Sequence, residues 1–132
     1  MLSTLGILSS TFAIDVPKAI ADAFAKKFPA ATNVKWAKEN AKEYEAEFKL
    51  NGKSISANFL NDGSWVETES EISTAELPAA VANAVKLKYA DAVILKIFKI
   101  ETAIGKVTYE TEFKTGNKKK ELVFNAEGNV IK

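Results

Sequence analysis

Two pairs of glutamates are the residues of this chain whose type and spacing come closest to catalytic chemistry. Glu45 and Glu47 are separated by one residue, as are Glu110 and Glu112. A retaining glycosidase uses two carboxyl groups about 5 Å apart, one of them in an apolar pocket. Alternation along a strand instead places each pair on one face at roughly 6.5–7 Å, which favours a solvated ladder of cross-strand charges. The lysines able to share that face are Lys35, Lys49, Lys96 and Lys114.

The chain lacks the side chains that carry most enzyme and metal chemistry. Its 132 residues include no histidine and no cysteine, which excludes the usual general base, a thiolate nucleophile and the commonest zinc ligands. The turns Asn61-Asp62-Gly63 and Glu127-Gly128-Asn129 lack the alternating ligands and the closing glutamate of a calcium loop. We therefore predict a non-enzymatic protein with no catalytic residues, no cofactor and no metal site.

The charge of the chain is balanced. Eighteen basic and seventeen acidic residues leave a net charge of +1, so no broad basic surface is available for nucleic acid or an anionic membrane. The basic run Lys118-Lys119-Lys120 adjoins a predicted hairpin turn and is typical of a solvated strand edge. No stretch reaches the ~20 apolar residues of a membrane span. We predict neither nucleic-acid binding nor a stable membrane span.

A tandem repeat organises the rest of the chain. Residues 16–20 (VPKAI) match 77–81 (LPAAV) 61 positions later, and residues 44–49 (YEAEFK) match 109–114 (YETEFK) 65 positions later. The change of offset falls between residues 37 and 44, where a hairpin loop can absorb it. We predict one repeat over 14–73 and a second over 74–132.

Each repeat begins with a short helix. Pro17 and Pro78 suit the first helical turn, where the missing N–H costs nothing, and Pro29 ends the first helix. Apolar residues then follow at helical spacing. They are Ile20, Ala23, Phe24 and Phe28 in the first repeat and Val81, Ala84, Val85 and Tyr89 in the second.

Strands follow each helix. Residues 44–50 alternate apolar and charged side chains, and Asn51-Gly52 is a strong hairpin signal. The pattern predicts strands over 34–38, 44–50, 55–59, 65–71, 93–101, 106–114, 119–125 and 129–132. The fold class is therefore α+β: two tandem α-β-β-β-β repeats, an antiparallel sheet with the helices packed on one face. The expected cores are Phe24, Phe48 and Phe59 in the first repeat and Val85, Phe113 and Phe124 in the second.

These segments resemble the PepSY-like family. The resemblance is carried by residues 76–81 (ELPAAV), 88–92 (KYADA), 109–113 (YETEF) and 124–132 (FNAEGNVIK), and it extends from about Val16 to Lys132. The aromatic-Pro-Gly/Ala turn of the family is kept in Phe28-Pro29-Ala30 and loses its proline in Tyr89-Ala90-Asp91. The resemblance implies exported tandem domains with a fold similar to the beta-lactamase inhibitor protein, and no catalytic residues.

The first residues favour export. Residues 1–13 (MLSTLGILSSTFA) carry no charge, and Thr11 and Ala13 suit a cleavage site, although a basic start is missing. We interpret 1–13 as the remnant of a signal peptide, with a mature protein that begins near Ile14 or Asp15. The alternative is an apolar tail or strand. A periplasmic or secreted location is expected.

The sheet face opposite the helices is the predicted binding surface. Apolar side chains in an open sheet face are typical of a protein-binding surface. The residues expected there are Leu60, Trp65, Ile94, Phe98, Ile100 and Val123, with Val66 as the alternative to Trp65. Packing between the two repeats, or a bulge that shifts the register, would account for the same residues.

We therefore predict a binding module for an unknown protein or peptide, which the resemblance extends to inhibition of a peptidase or another enzyme. A self-associating structural or envelope-stress protein is the alternative, and a carboxylate-only hydrolase ranks third. The expected state is a monomer or weak dimer. The sequence does not identify the partner.

Overall fold

The structure, a computed structural model, describes residues 14–131. The chain divides into two compact units, one ending at Ser70 and the next beginning at Glu71. Each unit contains one helix of ten residues and a set of antiparallel strands, so the predicted α+β class is confirmed. The predicted repeat boundary between residues 73 and 74 stays a prediction, and the predicted signal remnant lies outside the described residues.

The first unit is a helix followed by a four-stranded antiparallel meander. Its elements are α1 (Lys18–Lys27), β1 (Thr32–Lys38), β2 (Glu43–Leu50), β3 (Lys53–Leu60) and β4 (Trp65–Ile72), which continues past the unit boundary. Each strand pairs with the next along the chain. The Asn51-Gly52 turn adopts positive φ at both residues, 52° and 79°, as its sequence predicts.

The second unit repeats this plan with a reduced fourth strand. Its elements are a 3₁₀ helix (Thr74–Glu76), α2 (Ala79–Lys88), β5 (Val93–Thr102), β6 (Val107–Thr115) and β7 (Lys118–Asn125). The strand predicted over 129–132 is replaced by a single bridge between Phe124 and Val130. The N–H of Ile131 also donates to the carbonyl oxygen of Val123 at 2.8 Å. This edge therefore contains two points of pairing in place of a continuous ladder.

The core of the first unit is aromatic. Phe24 of α1 lies 5.0 Å from Phe48 of β2 and 6.2 Å from Phe59 of β3, measured between ring centroids. Ile20 is fully buried beside them, and Trp36 packs against the cluster. The predicted cluster of three phenylalanines is confirmed. A helix this short is unstable alone in water, so these contacts with the sheet hold α1 in place.

The core of the second unit is more aliphatic. Val81 and Val85 of α2 are completely buried against Ile97, Phe113 and Phe124 of the sheet. The predicted cluster of Val85, Phe113 and Phe124 is confirmed. Both units therefore bury one helix face against one sheet face and leave the other face of each sheet without a helix of its own unit.

Two glycines let each helix approach the turn that follows the third strand of its unit. A Cβ added to Gly63 would lie 2.7 Å from the carbonyl oxygen of Ala19, and one added to Gly128 would lie 2.5 Å from that of Ala80. Both glycines also have positive φ, 93° and 88°, which other residues rarely adopt. The same contact occurs at equivalent positions of both repeats.

Candidate functional site

The candidate site is the sheet face that no helix of its own unit covers, which we call the helix-free face. In β2, Tyr44, Ala46 and Phe48 point toward α1. Because neighbouring residues of a strand point to opposite faces, Glu43, Glu45 and Glu47 lie on the helix-free face. Cross-strand pairing extends this face to β3 and β4. Its other residues in the first unit include Lys35, Ala37, Lys49, Ser54, Ser56, Asn58, Leu60, Glu67 and Glu69.

Carboxylates dominate this face of the first unit. Glu67 stands directly across from Asn58 in the ladder, and the side-chain amide of Asn58 donates to Glu43 Oε1 at 3.1 Å. Burial raises the pKa of the Glu67 carboxyl, and the negative charge of Glu43 raises it further. Lys35 lies opposite Glu47 on β1, as the predicted charge ladder requires. The face is therefore electrostatically suited to a positively charged ligand.

Not all of these carboxylates are accessible. Glu43, Glu47 and Glu67 are half-buried and Leu60 is exposed, whereas Glu45 and Glu69 are only 6% and 1% exposed. The prediction that Glu45 and its counterpart Glu110 belong to a solvated ladder is wrong, since Glu110 is also buried. Alternation gives the face on which a side chain lies but not how deeply that side chain is covered.

The helix-free face of the second unit holds three of the predicted apolar residues. Phe98 and Val123 both pair with Glu110 across the ladder, and Ile100 pairs with Thr108. These side chains lie on the predicted face, but Phe98, Ile100 and Val123 are only 4%, 2% and 6% exposed. The expectation that they form an open surface is therefore wrong. Their role in binding a partner stays a prediction.

Ile94 does not belong to this face. The register of β5 shifts between Ile94 and Lys96, and Ile94 pairs with the core residue Phe113. Its side chain packs against the second core. A bulge reverses the faces of all residues on one side of it, so the outward placement of Ile94 was wrong.

Trp65 also lies on the helix-bearing face. The pairing of β3 with β4 skips Val66 of β4, which sets Trp65 opposite the core residue Phe59, and Trp65 packs against the first core. Its indole N–H donates to Thr68 Oγ1 at 2.9 Å. Lys27 Nζ lies 3.8 Å from the centroid of its ring. The placement of Trp65 beside Leu60 on the outward face is therefore wrong, and Leu60 remains the exposed apolar residue of that face.

Sequence reasoning missed the contribution of β4 to the acidic face. Glu67 and Glu69 continue the row that begins with Glu45 and Glu47, and the alternation of glutamates over residues 67–71 could have revealed it. Within residues 14–131, no three acidic side chains are grouped so as to hold a metal ion. Over the same part of the chain, neither helix has the length and apolarity needed to cross a membrane.

A family model described as "Putative beta-lactamase-inhibitor-like, PepSY-like" matches residues 10–53 and 42–132. The two matches overlap at residues 42–53 and together span most of the chain. No curated protein sequence is significantly similar to it.

Several solved structures share the fold. A BLIP-like protein from Bacteroides fragilis is 26% identical with a TM-score of 0.74, over 92% of this chain and 87% of that one. A DUF2874 family protein from Bacteroides ovatus is 25% identical with a TM-score of 0.79, over 91% and 87%. A structure from Bacteroides eggerthii, described as one of its "putative periplasmic proteins", is 24% identical with a TM-score of 0.81, over 90% and 88%.

Proposed function

This chain belongs to the PepSY-like family, and we propose that it is an exported, non-enzymatic module that binds a protein through the helix-free face of its first unit. The observation that carries this proposal is the row of accessible carboxylates on that face. Glu43, Glu47 and Glu67 line it beside the exposed side chain of Leu60. Burial, with the negative charge of Glu43, raises the pKa of the Glu67 carboxyl on this face.

The chemistry of this face favours a basic partner. A lysine or arginine side chain from the partner would pair with a carboxylate of this face and would relieve the repulsion between Glu43 and Glu67. Leu60 adds an apolar contact at the rim. Inhibition of a peptidase or another enzyme is the form of binding that the description of the family supports. It requires that the basic partner surface lie at an active site.

The test removes charge without changing shape. The variant Glu43→Gln/Glu47→Gln/Glu67→Gln keeps the side-chain volumes, and its matched control Asp15→Asn/Asp22→Asn/Glu127→Gln removes equal charge from exposed positions elsewhere. Wild-type protein immobilised on a resin is exposed to envelope extract of the native host, and captured proteins are identified by mass spectrometry. We expect the resin to capture a basic protein. Soluble wild type or the control variant should displace this protein from the resin, whereas the triple glutamine variant of the helix-free face (the face variant) should not.

With the purified partner, the dissociation constants of the wild type and both variants can then be measured. The face variant should bind at least tenfold more weakly than the control, and wild-type binding should weaken as salt is added. Equal affinity of face variant and control would refute the proposed surface. If the partner is an enzyme, its activity is assayed against increasing amounts of the protein. Light scattering of the protein alone distinguishes this function from self-association.

We also propose a periplasmic or secreted location, which the description of the Bacteroides eggerthii protein supports by analogy. Fractionation of the native host should recover the protein outside the cytoplasm, and the intact mass of that form gives its amino terminus. Recovery of the protein in the cytosolic fraction alone would contradict this proposal.

A further inference from the structure

The tip of the hairpin between β2 and β3 carries a chemically reactive pair of residues. Asn51 is the one asparagine of the chain that a glycine follows. Asn51 and Gly52 are both exposed, and the ladder between β2 and β3 ends at the pair of Leu50 and Lys53. The two residues therefore lie beyond the last pair of the ladder, where neither core contacts nor strand pairing hold them.

An asparagine followed by a glycine can react with its own main chain. The backbone nitrogen of the glycine attacks the side-chain carbonyl carbon, Cγ, and ammonia leaves as a cyclic succinimide forms. Water then opens the ring at either of its two carbonyl groups and gives aspartate or isoaspartate. Asparagine is one of the thermolabile residues of proteins, and a following residue without a Cβ leaves the attacking nitrogen accessible.

The surroundings of Gly52 allow this reaction. Asn51 has a φ of 52° and Gly52 a φ of 79°, so the turn has to loosen before Asn51 Cγ can reach the Gly52 nitrogen. Apart from its chain neighbours, no described residue has an atom within 4 Å of a Cβ built on Gly52. Exposed loop tips of this kind open locally at a low cost in free energy.

The equivalent turn of the second unit has the same two residue types in the reverse order. Gly116 and Asn117 are exposed and lie between Thr115 and Lys118, the last pair of the ladder between β6 and β7. The residue after Asn117 is a lysine, whose side chain crowds the nitrogen that would attack. One hairpin design therefore presents an asparagine with an accessible attacking nitrogen in the first unit and one with a hindered nitrogen in the second.

We propose that Asn51 is a site of deamidation and that its isoaspartyl product disrupts the turn between β2 and β3. Isoaspartate carries the main chain through its Cβ, which adds a methylene to the backbone and a negative charge to the tip. A two-residue turn with positive φ at both positions has no place for that extra atom, so the pairing of the strands must shift. The inference is independent of the proposed binding function, because the reaction needs no partner.

Peptide mapping of the folded protein tests the site. Trypsin releases residues 50–53 (LNGK) and 115–118 (TGNK) as separate peptides, so one digest reports on both asparagines. Purified protein is incubated at physiological temperature and pH, and conversion is followed by mass spectrometry and by labelling with an isoaspartyl methyltransferase. Conversion should be severalfold faster at Asn51 than at Asn117. Equal rates at the two sites, or conversion of Asn51 only in urea-unfolded protein, would overturn the proposal.

Exchanging the two residues of each turn gives matched variants. Asn51→Gly/Gly52→Asn copies the order of the second unit and should lose the fast conversion, whereas Gly116→Asn/Asn117→Gly should gain it at position 116. Asparagine and glycine both tolerate positive φ, so both variants should keep melting temperatures near that of wild type. Fast conversion at position 52 of the first variant would show that the following glycine is not the cause.

The effect on the turn is measured on the converted protein, which anion exchange separates by its added negative charge. The isoaspartyl form should melt at a lower temperature than unreacted protein. Asn51→Asp adds the same charge without the additional methylene and should melt close to wild type, since Asp-Gly also suits this turn. An isoaspartyl form that melts together with Asn51→Asp would refute the predicted disruption of the turn.

Discussion

The two units use one plan with different core chemistry. At equivalent positions of the two helices the first unit has Phe24 and the second has Val85, and both are buried. Phe24 contacts the rings of Phe28, Trp36, Phe48 and Phe59 at centroid distances of 5.0–6.2 Å. The second core instead relies on valine and isoleucine around Phe113 and Phe124. The plan therefore depends on the pattern of apolar positions and not on particular side chains.

The loop after each helix shows a second difference. In the first unit Pro29 restricts the loop covalently, and Ala30 follows. In the second unit Asp91 stands where the first has Ala30. Its Oδ1 accepts from Thr115 Oγ1 at 2.6 Å, and its Oδ2 accepts from the Gly116 N–H at 3.1 Å. The second unit therefore uses hydrogen bonds to the β6–β7 turn where the first unit has a proline ring.

The largest expected effect is a loss of unfolding free energy that differs between the two cores. Phe24→Ala should lower the free energy of unfolding by about 3–5 kcal/mol, because it removes a ring at the centre of an aromatic cluster. Val85→Ala removes two methyl groups and should cost roughly 2 kcal/mol. Urea denaturation followed by circular dichroism measures both. Equal losses would show that the aromatic core has no greater dependence on its helix than the aliphatic core.

The glycine contacts test what the two units share. Gly52→Ala, where the added Cβ meets open space, should cost about 1–2 kcal/mol from its positive φ. Gly63→Ala and Gly128→Ala should each cost ~1–3 kcal/mol more, since the helix backbone must move away. The same denaturation experiment compares the three variants. A loss at Gly63 or Gly128 no larger than at Gly52 would contradict the close approach of helix and turn.

A buried hydroxyl distinguishes β6 from β2. Thr111 is completely buried, and its Oγ1 has no hydrogen-bond partner within the described part of the chain. The equivalent residue of the first repeat is Ala46. Thr111→Val preserves the shape and removes an unsatisfied polar group, so we expect a gain of about 1 kcal/mol in unfolding free energy. A loss of stability in this variant would indicate that the hydroxyl is hydrogen-bonded in solution.

The smallest expected effect concerns the two loops and their pH dependence. The hydrogen bond from Thr115, with that from Gly116, lowers the pKa of Asp91 below its ordinary value of 3.8. A lowered folded-state pKa stabilises the protein above the unfolded pKa, and this contribution is lost as pH falls through the folded pKa. Asp91→Ala should therefore lower the melting temperature at neutral pH, and the difference from wild type should shrink below about pH 3.8.

Pro29→Ala is the matched variant for the first unit. It should cost about 0.4–1 kcal/mol, because the unfolded chain gains freedom, and the loss should not change with pH. Melting temperatures of both variants across an acidic pH series provide the comparison. An Asp91→Ala effect that is constant with pH would mean that its carboxylate charge has no part in holding the loop.

Much of the fold followed from local patterns. Pro17 and Pro78 precede helices at the predicted places, and Asn51-Gly52 forms the predicted turn. Repetition of the same pattern in both halves made each assignment more certain, because local signals that agree with one another specify a fold. Alternation also predicted the correct face for the carboxylates of β2, because it requires only that the strand be regular.

What the sequence by itself determined is therefore the repeat, the α+β class, the family and the side chains of the two cores. Tertiary structure alone decided the faces of Trp65 and Ile94, because register shifts depend on how neighbouring strands pair and not on the alternation within one strand. It also decided how deeply Glu45, Phe98 and Ile100 are covered. Burial results from all the atoms packed around a residue, and periodicity along one strand contains no information about them.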